Sequence, residues 1–340
     1  MEFTRRNFGK LALATAAVPA GTLFAAKPNS KFDGVQIATI TYSYRDRPEL
    51  ANDAHELLKL IVESGISAIE LMPTAAERFA GAPLPPLDAG RGGGGAARGG
   101  ARGGSGRGGG GGGRGRAMTP EQQAAAEKLK AWRLSASMDK FKEFRKLYND
   151  AGVEIYCHKL TPTEKMEDPE FNYFFEVGKA LGATQLSLEL PEAPSPFTQR
   201  MGDTALKHGM VAAYHAHEQA TETAWDAVLN QSKGNAVNLD TGHYYAGTGK
   251  SPVPAIIKYH ERIASLHLKD RTPTTPQARG ANLPWGQGST PIVDILQTLK
   301  KNKYKFPAAI ELEYQIPAGS DSVTEVKKCM EYCKKALESA

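Results

Sequence analysis

Cysteine is scarce in this 340-residue chain, with only Cys157, Cys329 and Cys333. Three thiols cannot build a disulfide framework, at least one stays unpaired within the chain, and no zinc-type cysteine pairing is present. Cys329 and Cys333 stand four apart, the spacing of one helix face. A long hydrophobic run is also missing. Leu11 to Phe24 is short and diluted by Ala, Gly and Thr, which disfavours a transmembrane anchor. There is no Gly-rich dinucleotide fingerprint, because the glycines at 92–95 follow a strand but no helix pattern follows them. Residues 90–116 are almost entirely Gly and Arg and lack the side chains needed for a core. What remains is long enough for one large domain with a sizeable core.

The net charge of +5 is concentrated in two stretches. Residues 1–26 carry Arg5, Arg6 and Lys10 against Glu2, and residues 89–117 carry six arginines and no acid. The remainder is therefore mildly acidic, which gives no reason to expect nucleic acid as a partner. Thr4-Arg5-Arg6-Asn7-Phe8-Gly9-Lys10 resembles the twin-arginine export motif, followed by a moderately apolar run. That resemblance implies a signal peptide over 1–26, a mature domain over 27–340 with a loose start, export of the folded protein, and a periplasmic location. The Gly/Arg stretch at 90–116 is expected to be a disordered, low-complexity insertion in a surface loop. An Arg-rich flap that attracts anions is the alternative.

The rest alternates. Strands are expected at 35–40, 68–72, 153–157, 184–188, 210–214, 236–240, 263–267 and 308–310. Helical stripes lie between them, often stopped by glycine, as at Gly65, Gly152, Gly182 and Gly209. Thr119-Pro120 opens a helix as N-cap and first helical residue, with a break near Ser135. Eight strand-helix units in one domain is the count of a (β/α)8 TIM barrel. In that architecture the active site lies at the C-terminal ends of the strands.

Polar residues accumulate at those ends: His158 and Lys159, Glu189, His215 and His217, Asp240 and His243, His267 and Lys269, Glu311 and Glu313. Asp240 and His267 end consecutive parallel strands, and a carboxylate with an imidazole suits a divalent metal. Asp240 could instead cap the turn into Gly242, and His267 could be a core histidine. His215 and His217 alternate and so face one side of their strand. Glu70, inside the second strand, reads as structural rather than catalytic. Trp285 either stacks on a sugar ring or pins its loop.

Five motifs resemble the xylose isomerase-like TIM-barrel superfamily, in particular its sugar phosphate isomerase/epimerase group. They are Tyr214-His215-Ala216-His217, Leu239-Asp240-Thr241-Gly242-His243, His267-Leu268-Lys269-Asp270, Gly286-Gln287-Gly288 and Ile310-Glu311-Leu312-Glu313. The resemblance implies one divalent metal, Mn first and Zn, Mg, Fe or Co as alternatives, held by Asp240, His267, Glu311 and either His215 or Glu189. It also implies proton abstraction next to the carbonyl of a sugar, keto-sugar or polyol, through an enediolate. Glu311, His215, Glu189 and Lys269 are the expected catalytic residues. His243, His217, His158, Lys159 and Trp285 are the expected substrate contacts. Isomerase or epimerase is the first reading, and a keto-glycoside lyase or dehydratase the second. A non-catalytic sugar-binding barrel and an endonuclease-type metal hydrolase are further alternatives. The expected partner is a small carbohydrate, with no stable membrane span after signal removal and homo-oligomerisation left open.

Overall fold

The structure, a computed structural model, describes residues 27–84, 119–159 and 162–338. The expected signal at 1–26 and the Gly/Arg stretch at 90–116 lie outside the described residues. Eight parallel strands run in chain order: β1 (Val35–Ile40), β2 (Ala68–Leu71), β3 (Glu154–His158), β4 (Gln185–Glu189), β5 (Val211–His215), β6 (Asn235–Asp240), β7 (Ile263–Leu268) and β8 (Ala308–Ile310). Each pairs with the next, and β8 pairs back onto β1 through Ala308 to Ile37 and Ile310 to Thr39, which closes the barrel. The fold is thus a TIM barrel, as the alternation predicts.

Helices pack apolar stripes around the outside. In the helix Ala54–Glu63, Leu57, Leu58, Leu60 and Ile61 are buried, and the Asp53 side chain accepts the His55 and Glu56 amides as its N-cap. The helix Asp168–Leu181 buries Phe171, Phe174, Phe175 and Val177, and ends on Gly182. Thr119 and Gln122 form a reciprocal capping box at Pro120–Ser135. Extended backbone at Ala136 ends that helix, and a second one, Asp139–Asp150, follows. The break near Ser135 is therefore real. All three cysteines are buried and unpaired. Among the described residues no helix is long and apolar enough to cross a membrane.

Some elements depart from the sequence expectation. Lys31, the last residue of the loose start expected over 27–31, instead forms with Phe32 an antiparallel hook on β1. A helix, Thr241–Thr248, springs directly from the end of β6, ahead of the expected crossover helix, here Val253–Tyr259. Its N-cap is Asp240, whose Oδ1 accepts the His243 amide at 2.7 Å. Pattern reading misses it because its burial is not striped: Thr241, Gly242, His243, Tyr244 and Ala246 are all buried.

The loop after β7 is held by one carboxylate. Asp270 accepts backbone N–H groups from Gly286 at 2.8 Å, Gly288 at 2.9 Å and Thr290 at 3.2 Å. Gly286 has φ +87°, open to glycine, and a Cβ on Gly288 would lie 2.1 Å from Asp270 Oδ1. This is a physical reason for Gly286-Gln287-Gly288. Gly288→Ala should therefore break the nest and cost about 2 kcal/mol or more, the scale of hydrogen bonds to a buried charge. Chemical denaturation measures this, and an unchanged midpoint would show that Asp270 does not hold the loop.

Candidate active site

His267, at the inner end of β7, lies between two carboxylates. Its Nε2 is 2.7 Å from Glu70 Oε2 and its Nδ1 is 2.7 Å from Glu311 Oε2. Burial penalises the imidazolium, but Glu70 and Glu311 outweigh it and push the pKa up to about 10. Glu70 is fully buried in β2 and also takes a hydrogen bond from Asn238 Nδ2 at 3.3 Å. It is thus the partner that aims the His267 ring, a role the sequence reading did not assign. The available signal was an acid inside the apolar run Ala-Ile-Glu-Leu-Met.

Asp240, at the end of β6, and His215, at the end of β5, complete the cage. One ligand atom each from His215, Asp240 and His267 falls within 4.8 Å of the others. His215 Nδ1 is buried without a hydrogen-bond partner, while Asp240 Oδ2, His267 Nδ1 and Glu311 Oε2 are buried and meet one another and Lys269 Nζ in ionic contacts outside hydrogen-bond geometry. Burial, with Lys159 and other cations adding to it, holds the His215 pKa well below its ordinary value, so the ring is neutral and free to offer a lone pair. Buried carboxylate oxygens and imidazole nitrogens converging at one point are a donor set that a divalent cation satisfies, so the residues present fit such an ion.

Glu189 stands apart from this cage. Its Oε1 meets Lys159 Nζ at 3.2 Å and its Oε2 meets His217 Nδ1 at 3.3 Å, with the side chain 41% exposed. The geometry therefore favours His215 over Glu189 as the fourth donor.

A second cluster lies beside the first. Lys269 Nζ is 2.9 Å from Asp240 Oδ2, 3.2 Å from Glu311 Oε2 and 2.8 Å from Glu313 Oε2. Burial opposes its charge, but Asp240, Glu311 and Glu313 raise its pKa, so it stays an ammonium. Burial likewise opposes the Glu311 charge, and Lys269 and His267 hold that carboxyl well below the usual range. Asp240 is instead pushed up, by burial first and by Glu311 against the opposing pull of Lys269. The His217 and His243 rings approach to 4.6 Å between centroids, and His215 lies 4.9 Å from both His217 and His267. Arg271, which sequence reasoning passed over, is buried and donates to His243 Nδ1 and to Glu218.

Two expected substrate contacts lie apart from the cage. Lys159 joins the site through Glu189, but His158 does not. Consecutive strand residues face opposite ways, and the charged group that bears on His158 is Arg133, on the outer helix Pro120–Ser135. Both His158 ring nitrogens are buried without a partner. Trp285 packs edge-on against Tyr332 of the C-terminal helix, at 5.8 Å and 89°, which is the loop-pinning role.

His158 carries a prediction. Burial, with Arg133 adding to it, lowers its pKa to about 3. A base whose folded pKa is depressed contributes its full stability above the unfolded value near 6.5. That contribution is lost, at about 1.4 kcal/mol per pH unit, as the pH falls from there toward the folded pKa. His158→Met should thus flatten the acid branch of the stability profile between about pH 6.5 and 3. Parallel urea titrations of both proteins would reveal it, and identical acid slopes would contradict the burial of a neutral imidazole.

Residues 197–336 match the family described as Xylose isomerase-like TIM barrel. The Inosose dehydratase of Clostridium botulinum (strain Alaska E43 / Type E3) is 30% identical over 154 residues, 40% of this chain and 51% of that protein. The "Putative L-ribulose-5-phosphate 3-epimerase SgbU" of Escherichia coli (strain K12) is 37% identical over 91 residues, 26% of this chain and 31% of that protein. The chain thus spans about half the length of the first of these curated relatives and less of the second. Among solved structures, a xylose isomerase domain protein from Planctomyces limnophilus aligns with a TM-score of 0.56 at 12% identity. The alignment covers 92% of this chain and all of that one, a likeness of fold. The fold is a TIM barrel, and the segment that matches the model of the xylose isomerase-like family contains His215, Asp240, His267 and Glu311.

Proposed function

We propose that this barrel is a divalent-metal-dependent enzyme that moves a proton next to the carbonyl of a sugar, keto-sugar or polyol, as an isomerase or epimerase. The observation that carries the reading is the convergence of His215, Asp240, His267 and Glu311 at the ends of neighbouring strands, buried and braced from behind by Glu70. The names of the two curated relatives support the substrate class.

A divalent ion held by those four residues supplies Lewis acidity to a carbonyl and its neighbouring hydroxyl. The chain's own groups then divide the work. Glu311, kept ionised by Lys269 and His267, takes the proton from the carbon. Lys269 faces the same space and stabilises negative charge that develops on the substrate oxygen. Glu189, in contact with Lys159 Nζ and His217 Nδ1, is the second acid-base group of this reading: it would take a proton from Lys159 and pass it to the opposite face of the carbon. Loss of a neighbouring hydroxyl instead of reprotonation makes a dehydratase. The 30% identity to an inosose dehydratase favours that as the second reading.

Elemental analysis of the purified chain should give about one divalent ion per molecule, lost in Asp240→Ala and His267→Ala with the fold intact. Glu70→Gln should weaken binding by about 10–100-fold, as loss of a ligand's outer partner does. Glu189→Gln should keep the ion and His215→Gln should lose it. The reverse pattern would transfer the fourth position to Glu189.

Turnover in heavy water across a panel of sugars and keto-sugars should place deuterium at the carbon beside the carbonyl. Glu311→Gln should suppress that exchange by about 100-fold or more. NMR of the product separates an epimer or isomer from an eliminated product. Turnover without exchange at any carbon defeats the mechanism, as does exchange indifferent to Glu311→Gln.

A further inference from the structure

His215, His217 and His243 also bring one ligand atom each within 4.8 Å of one another, a trio that would suit a second metal ion beside the cage. Arg271 decides against it. This guanidinium is buried, donates from Nη1 to His243 Nδ1, and is anchored through Nη2 to Glu218 Oε1 at 2.8 Å and to the Gly280 carbonyl. Glu218 in turn is held by Arg279 Nε at 2.9 Å. A guanidinium carries donors only and does not lose its proton in proteins. The nitrogen facing it must therefore accept, and the one ring hydrogen of a neutral imidazole then sits on the other nitrogen.

We propose that Arg271 is a positioning residue that locks His243 in the neutral Nε2–H form, making it a hydrogen-bond donor and removing it from metal binding. With its hydrogen in place, Nε2 has no lone pair in the ring plane to give a cation or a proton. The surroundings agree. His243 Nε2 lies 3.5 Å from Glu313 Oε2, and Lys269 Nζ donates to that same oxygen at 2.8 Å. The 2.9 Å between Nζ and Nε2 is then a contact of two donors side by side, aimed at one acceptor. An oxygen of the substrate that reaches this point meets both hydrogens. The role at that oxygen rests on the proposed proton-transfer reading, whereas the locked tautomer does not. The lock also makes the site mononuclear by construction, since the second cation position lacks one of its three donors.

The test uses the full-length chain labelled with 15N-histidine, magnesium-loaded, in two-bond nitrogen–proton correlation spectra. His243 is assigned by the signals that vanish in His243→Gln. The expected pattern is a protonated Nε2 and an unprotonated Nδ1. This pattern should persist with a tenfold excess of zinc and in Arg271→Lys, which keeps a cationic donor. In Arg271→Met the pattern should give way to mixed tautomers. Excess zinc should then abolish the Nε2–H signal and raise bound metal from one ion to two per chain. A protonated Nδ1 or an imidazolium in the native chain overturns the proposal. So does loss of the native Nε2–H signal to zinc, or a folded Arg271→Met with an unchanged tautomer. Should Arg271→Met fail to fold, the native and Arg271→Lys spectra still decide. A locked tautomer without deuterium exchange in turnover would count against the proton-transfer reading alone.

Discussion

The grip of two carboxylates on one imidazole holds this site together. Glu70 comes from β2, His267 from β7 and Glu311 from the end of β8, and all three are buried. A buried charge of this kind is costly unless it is paired. The trio therefore exists only in the closed barrel, where strands far apart in sequence bring the groups to 2.7 Å of one another. The same grip sets the chemistry. With Nε2 engaged by Glu70, the ring can present only Nδ1 to the cage, where Asp240 Oδ2 lies 3.9 Å away. On the proposed reading, a proton on that nitrogen and a metal ion would compete for one lone pair, which would couple ion binding to proton release.

Much of the barrel is legible in the sequence because its strands and helices obey simple periods. Short apolar runs ended by Asp240, His267 and Glu311 are strong signals, since a polar side chain at the end of a buried parallel strand has one destination, the C-terminal rim. The helix after β6 hides for the opposite reason. Its residues are buried on several sides at once, so no stripe appears.

The residues that sequence reasoning misplaces are those whose role depends on distant partners. Glu70 looks like a structural acid until His267, 197 positions away, is seen to lean on it. Arg271 looks like one more charge after Asp270 until its guanidinium is found against His243. His158 and Lys159 are neighbours in sequence and belong to different compartments. One is sealed on the side of Arg133, and the other reaches Glu189 across the mouth of the barrel. A local pattern gives the period of a strand but not which face its last residue takes.

The two-residue repeat of an extended chain explains how one site can hold two kinds of chemistry. Three strands deliver pairs spaced by two: His215 and His217, His267 and Lys269, Glu311 and Glu313. The first member of each pair falls in the buried cage. The second falls one step further along the chain, in a cluster where Lys269 meets Glu313 and His217 meets His243. On β6 the strand stops at Asp240, and its partner is supplied by the first turn of the helix that Asp240 itself caps, at His243. One layer is therefore built of carboxylates and imidazoles that can offer lone pairs, and the layer next to it holds the cationic donors Lys269 and Arg271 beside His243. A cation is at home in the first and an oxyanion in the second. On the proposed reading, a substrate that spans both would have its carbon held between a site that withdraws electrons and a site that receives the resulting charge, with Glu311 in contact with both layers through His267 and Lys269.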